Sequence, residues 1–326
     1  MTYLFLFGGI FLAGSLGRNN LSNLFGLAIG TRMVRFYTSV VLASLFVLLG
    51  AVLSGSGTTG NLLALADLKS ALDAFVITFS AAAVLTLLTH RGLPVSIVQA
   101  IVGALIGYNL SQHMPTNSAV IREIVLAWIY SPFLSLGIAF FLIKLFQRLL
   151  KRFPIRILYQ DMYVRAGLIV VGCFSAYALG ANNISGIVAP YLTTSDFSES
   201  SLIVVVCFSV AAGFFFADRN VIKTVSSGIF PLPALEAFIV VLSTALTLFL
   251  FSSQNMHDLF ERLYLPAFPL VPVSMSHAMI GAIVGVSLVK GRHGLKLQTL
   301  NKIIVSWFLV PFLGGLISYL IFIMIT

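Results

Sequence analysis

Apolar stretches close to the roughly 20 residues that a helix needs to cross a bilayer recur along this chain, each closed by a short polar segment. The pattern predicts membrane-crossing α-helices, and it is written twice. GRNNLSN at 17–23 returns as GANNISG at 180–186, and ALDAF at 71–75 returns as ALEAF at 234–238, both 163 residues later. PVSIVQAIVGALIG at 94–107 returns as PVSMSHAMIGAIVG at 272–285, and a helix marked by Trp128 and Pro132 returns with Trp307 and Pro311. A unit of about half the chain has been duplicated. In so apolar a protein, that is the mark of a transporter built from repeats around a central site.

Composition sharpens the class. With 59% hydrophobic and 9% charged residues, the chain cannot present enough polar surface to water, and it reads as an all-α polytopic membrane protein. The net charge of +9 is spread over short loops with no aromatic-basic reading surface, which argues against nucleic acid. Cys173 and Cys207 lie in apolar segments without metal-ligand spacing and read as small packing residues. The first segment has no basic region ahead of its apolar run, so it reads as a retained span and not as a cleaved signal.

Orientation explains the charge better. Arg32 and Arg35 mark one loop as cytoplasmic, 55–69 reads as external, and His90 and Arg91 return the chain to the cytoplasm. The uncharged stretch 111–118 is then external, and Lys144, Arg148, Lys151, Arg152 and Arg156 make the central loop strongly cytoplasmic. In the second half Asp196 and Glu199 are external, Arg219 and Lys223 internal, Asp258, Glu261 and Arg262 external, and Lys290, Arg292, Lys296 and Lys302 internal. About five crossings result in each half, ten in all, entering from opposite sides, with both termini outside. The predicted organisation is an N-terminal repeat over 1–143, a basic cytoplasmic linker over 144–162, and an inverted-topology repeat over 163–326.

Two constellations carry chemistry. Glycine, serine and asparagine at 17–23 and 180–186 fall where an uninterrupted helix would want leucine or isoleucine, so they predict a broken first helix in each half, buried in protein or lining a wet cavity. The N–H groups of a half-helix make a ready anion site. Asn19, Asn20, Asn182 and Asn183 add amides, with Ser22 and Ser185 beside them; the alternative is that these amides only glue helices together. In the second constellation, Pro94 and Pro272 are expected at the first turn of re-entrant or short helices. Ser96 and Ser274 there put hydroxyls beside free N–H groups, and Gly103, Gly107, Gly281 and Gly285 let those helices pack closely.

The paired Gly-Ala-Asn-Asp-like and Pro-Val-Ser-Thr-Thr-His-like words resemble the two signatures of the inorganic phosphate transporter family, and the resemblance runs over nearly the whole chain. It implies inverted repeats and transport of an inorganic oxyanion. In that family the aspartate of each first word helps bind the coupling sodium, while the Ser-Thr-Thr hydroxyls hold the anion. Here Asn20 and Asn183 stand at the aspartate positions, and Ile97 with Val98 and Met275 with Ser276 stand at the threonine positions. Only the second copy keeps its histidine, His277, against Gln99. A sulfate-permease branch similar to this family also lacks a full set of acidic signature residues. These departures imply weak dependence on sodium, with proton coupling or simple exchange in its place.

Other residues are open to two readings. Arg18 replaces the small residue of the first word, with no acid nearby in sequence; it either meets a tetrahedral oxyanion or is a structural arginine bonded to buried carbonyls. Asp73 and Glu236 occupy the same repeat position and could carry protons, although anchoring a helix end is the commoner role. His277 could relay a proton or bond one helix to another. GSGTTG at 55–60 resembles a phosphate-cradling loop, but no Gly-Lys-Ser/Thr follows, and it reads as linker.

The expectation is therefore a secondary transporter of phosphate, or else sulfate, in the cell (inner) membrane, working by alternating access. Candidate substrate contacts are Arg18, Asn19, Asn20, Ser22, Ser96, Asn182, Asn183, Ser185, Ser274 and Ser276, with His277, Asp73 and Glu236 as candidate proton carriers. No cofactor or metal set is expected, and a homodimer is compatible with such a chain. The rival readings are an anion channel and an intramembrane enzyme, in which Ser274 and His277 would serve as nucleophile and base.

Overall fold

A computed structural model describes residues 2–55, 62, 64–153, 157–291 and 294–325. Most of GSGTTG, together with Arg156 and Arg292, lies outside the described residues. Among the described residues the protein is helical and no strand occurs. The first half comprises α1 (Thr2–Leu24), a short α2 (Gly26–Gly30), α3 (Phe36–Ser54), α4 (Ala71–His90), α5 (Ile97–Ser111) and α6 (Ser118–Arg152). The second comprises α7 (Ile157–Leu192), α8 (Glu199–Phe215), α9 (Arg219–Lys223) running into a π-turn (Thr224–Gly228), α10 (Ala234–Ser252), α11 (Gln254–Arg262), α12 (Met275–Lys290) and α13 (Leu297–Ile325).

The helix starts obey the spacings of the duplicated words. Helices α3 and α8 begin at 36 and 199, and α4 and α10 at 71 and 234, in both cases 163 apart. Contacts are exchanged between the halves in the same symmetrical way. Helix α3 lies along α7 while α8 lies along α1, and α5 packs on α13 while α12 packs on α6. Glycines set the close crossings: a β-carbon at Gly17 would strike Val210 O, and at the matching Gly180 it would strike Val47 O. Likewise Gly103 faces Pro311 O, and Gly281 faces Pro132 O. Small residues at such crossings let helix backbones approach where lipid gives no hydrophobic drive to association. Gly103→Ala and Gly281→Ala are each expected to cost about 1–3 kcal/mol by overpacking, read as a lower unfolding temperature in detergent. Gly137→Ala, on the same α6 but facing open space, should leave that temperature unchanged.

Among the described residues, six helices are long and apolar enough to cross a membrane: α3, α4, α6, α7 from Tyr159, α10 and α13. A seventh crossing results if α8 and the segment Arg219–Gly228, bent by 72° to each other, form one span. The protein is thus a multi-pass integral membrane protein, with fewer full-length spans among the described residues than the ten crossings read from loop charge. The difference lies in three helices. Helix α1 is 23 residues long but carries the first asparagine word, and α5 and α12 have only 15 and 16 residues. At 1.5 Å per residue the last two fall short of a hydrocarbon core of about 30 Å, so the Pro-Val-Ser helices are the short helices expected of them.

Two other expectations need correction. The basic linker over 144–162 is mostly helix, since α6 runs to Arg152 and α7 starts at Ile157. The asparagine words do not break their helices either. Helix α7 passes through 180–186 without interruption, and α1 passes through 17–23 and kinks only afterwards, at Phe25. Backbone amides at the words stay paired within the helix. The polar character at depth therefore comes from side chains, several of which turn back onto their own helix, as Ser22 Oγ does in donating to Asn19 O and Ser185 Oγ in donating to Asn182 O.

Candidate functional site

The Pro-Val-Ser words form two helix starts. In each, serine and not proline takes the cap position. Ser96 has an extended backbone and its Oγ accepts from Gln99 N at 3.4 Å; Ser274 does the same for His277 N at 3.3 Å. Pro94 and Pro272 sit two residues earlier, where their fixed φ sets the extended approach, and not in the first helical turn. Helix geometry leaves the N–H groups of Ile97 and Val98, and of Met275 and Ser276, without an intrahelical acceptor. Each helix start is therefore a region of positive potential.

The asparagine helices seat these starts. Asn19 Nδ2 donates to Thr89 Oγ1 at 2.8 Å and to Leu93 O at 3.2 Å, while in the other half Asn182 Oδ1 accepts from Val273 N at 3.1 Å. Each word thus grips the extended segment of its own half. The halves also meet. Ser276 Oγ donates to Val95 O at 3.1 Å and accepts from Asn23 Nδ2 at 3.3 Å, and Asn23 Nδ2 also donates to Asn20 Oδ1 at 2.8 Å. Asn19, Asn20, Asn23, Asn182, Asn183, Ser22, Ser185, Ser96, Ser274 and Ser276 are all buried. Hollows of about 530 Å³ beside Asp67 and Asn109, and of about 500 Å³ beside Arg18, are lined by other residues. The cluster is closed over.

Sequence reasoning missed Asn23 and Thr89. Asn23 is the last letter of the first word, but its counterpart is Gly186, so the duplication gave no flag. Thr89 had a weak signal, because its counterpart 163 residues on is Ser252, another buried hydroxyl.

Four candidates are placed in other roles. Arg18 pairs with Asp218 at 3.1 Å, and Asp218 N also donates to Arg18 O at 3.2 Å. Asp73 closes a capping box at the start of α4 and accepts from Tyr108 Oη at 3.3 Å. Glu236, at the same position of α10, is buried in an ion pair with Lys290. Both acids anchor helix ends. His277 Nδ1 meets Trp128 O at 3.2 Å, a carbonyl left without its usual helical donor because Pro132 has no N–H, and its ring lies 3.9 Å from that of Trp307. The carbonyl can only accept, so Nδ1 carries the proton. Histidine here mends a proline break between α12 and α6. Replacement by glutamine, which can still donate, should keep uptake and its pH profile. Replacement by leucine should cost about 1–3 kcal/mol of stability by stranding the carbonyl, and a pH profile altered in the folded glutamine variant would restore the proton-carrier reading.

Two exchanged halves, with short capped helices meeting at a buried asparagine cluster, define a membrane protein of the transporter type. Comparison with known proteins agrees, and the chain belongs to the phosphate transporter family, which it matches over residues 16–256 and 265–326. A protein of Methanocaldococcus jannaschii called a phosphate permease is 29% identical over 307 residues, covering 94% of this chain and 92% of its own length. The sulfate permease of Bacillus subtilis is 24% identical over 319 residues, covering 96% and 84%. A solved structure described as the sodium-dependent phosphate transporter superposes with a TM-score of 0.80 over 99% of this chain and 98% of its own, at 19% identity.

Proposed function

We propose that this protein is a secondary transporter that carries inorganic phosphate across the membrane by alternating access between two inverted halves. The observation that carries the reading is the buried meeting of two capped helix starts with both asparagine words. Two N-terminal dipoles aimed into one enclosed region favour an anion. The exchanged contacts between halves supply the means for one half to rock against the other. The enclosed cluster then corresponds to the occluded state between outward and inward opening. Membership of the phosphate transporter family and the phosphate permease relative favour phosphate over sulfate.

Proton coupling or exchange fits the site better than sodium coupling, although the superposing structure is described as sodium-dependent. Asn20 and Asn183 are neutral, and a hard cation stripped of water favours anionic oxygen ligands. A multivalent oxyanion entering a negative interior needs charge compensation from another source. Uptake of labelled phosphate into proteoliposomes, with sodium and proton gradients imposed separately, tests the whole reading. Saturable uptake with counterflow is expected, with little stimulation by sodium at fixed pH. Flux without saturation or counterflow would make the protein a channel, and strong sodium stimulation would overturn the coupling assignment. An intramembrane hydrolase finds no support in the geometry, since Ser274 Oγ faces the backbone of His277 and the imidazole Nδ1 faces Trp128 O. On this inverted reading the basic end of α6 lies in the cytoplasm. A single cysteine at Arg148 should stay unlabelled by an impermeant reagent in intact cells, and labelling from outside would refute the inversion.

A further inference from the structure

The buried amides of the first asparagine word are engaged unevenly, and the imbalance has a direction. Leu93 O can only accept, so the Asn19 side chain must turn Nδ2 towards it. Ser276 gives its one proton to Val95 O and can therefore only accept from Asn23, which fixes Nδ2 of Asn23 on that side as well. The donors of these two amides are thus occupied. The acceptors are not: Asn19 Oδ1, Asn23 Oδ1 and Asn183 Oδ1 are buried without a hydrogen-bond partner among the described residues. Unmatched buried acceptors are rare in folded proteins, and a ligand that satisfied them would have to bring hydrogen-bond donors of its own.

We propose that the site selects a tetrahedral oxyanion that carries its own protons, with Asn23 as a specificity-determining residue, a proposal that rests on the oxyanion-transport reading above. The charged oxygens of such a ligand suit the N–H groups at the starts of α5 and α12, while its hydroxyl protons are donated to the amide oxygens. Phosphate and arsenate keep at least one such proton at neutral pH. Sulfate keeps none. Every sulfate oxygen brought to the cluster would set a lone pair against a lone pair and leave the amide oxygens unmatched, the kind of negative selection that discriminates more sharply than shape. Because the counterpart of Asn23 is Gly186, this recognition is weighted to the first half of the molecule.

The test is competition against labelled phosphate in proteoliposomes at fixed pH, with calorimetric binding to the purified protein in parallel. Arsenate is expected to compete within about tenfold of unlabelled phosphate, and sulfate to be at least about a hundredfold weaker. Asn23→Leu should weaken phosphate and arsenate about tenfold or more while hardly changing sulfate, so that the selectivity ratio collapses. Asn23→Gln, which keeps both the amide oxygen and the donor that Asn20 and Ser276 meet, should preserve the ratio even if the leucine variant fails to fold. Sulfate competing as well as arsenate in the native protein, or a folded leucine variant with an unchanged ratio, would overturn the proposal. So would a loss of all three ligands together when sodium is replaced by N-methylglucamine, because a cation would then be what the amide oxygens hold. Selective binding without uptake would sink the transport reading and keep this one, whereas uptake without selectivity would do the reverse.

Discussion

Replacing Asn19 and Asn182 together by leucine is expected to abolish phosphate uptake, whereas each single replacement should leave a measurable remnant. The two side chains do the same work in the two halves, holding the extended Pro-Val-Ser approach against the first helix. They do it with opposite ends of the amide. Asn19 supplies a donor to Leu93 O, and Asn182 supplies an acceptor to Val273 N–H. Stranding one buried partner costs about 1–3 kcal/mol, roughly 5- to 150-fold in affinity if the loss falls on the binding-competent state. The singles should not be equal. A carbonyl has a second lone pair and tolerates under-satisfaction, but an orphaned buried N–H has no substitute, so Asn182→Leu should be the more damaging. Uptake measured beside thermal stability checks this, and equal, mild effects of all three variants would mean that the asparagines only glue helices together.

Much of the fold was legible because duplication preserved the letters that packing needs. Gly17 and Gly180, or Gly103 and Gly281, recur because each sits under a backbone carbonyl of the other half, and the helix starts recur with them. What could not be read is what tertiary contact decides. Glycine and asparagine at 17–23 and 180–186 are poor helix formers, yet α1 and α7 continue through them, since neighbouring helices receive the polar side chains and leave the backbone ladder intact. The structural partner of His277 was hidden for a related reason. It is a carbonyl 149 residues away that Pro132 had set free, and Pro132 was legible only as part of a repeated word.

Arg18→Gln is expected to unfold or loosen the protein, and Arg18→Gln with Asp218→Asn to restore most of what is lost. Sequence offered no acid near Arg18, because its partner lies 200 residues away and the counterpart of Asp218 in the first half is Gly55. Side-chain exposures of 34% for Arg18 and 8% for Asp218 make the pair unequal. Removing the arginine leaves a buried carboxylate with the Asn220 N–H that it caps as its hydrogen-bond partner among the described residues, while removing the aspartate leaves a cation that can reach towards an interface. The first loss should approach the roughly 3 kcal/mol typical of breaking a buried pair from one side, and Asp218→Asn alone should cost less. An arginine that bound the oxyanion would behave in the opposite way, raising the apparent KM for phosphate without loss of stability and gaining nothing from the second substitution. The pair joins α1 to the 72° bend between α8 and α9, where Asp218 N also holds Arg18 O. A folded Arg18→Gln protein should therefore hold its closed state less firmly, so that a cysteine placed at Asn19 reacts with a water-soluble thiol reagent faster than in the native background, and the double variant should slow that reaction again.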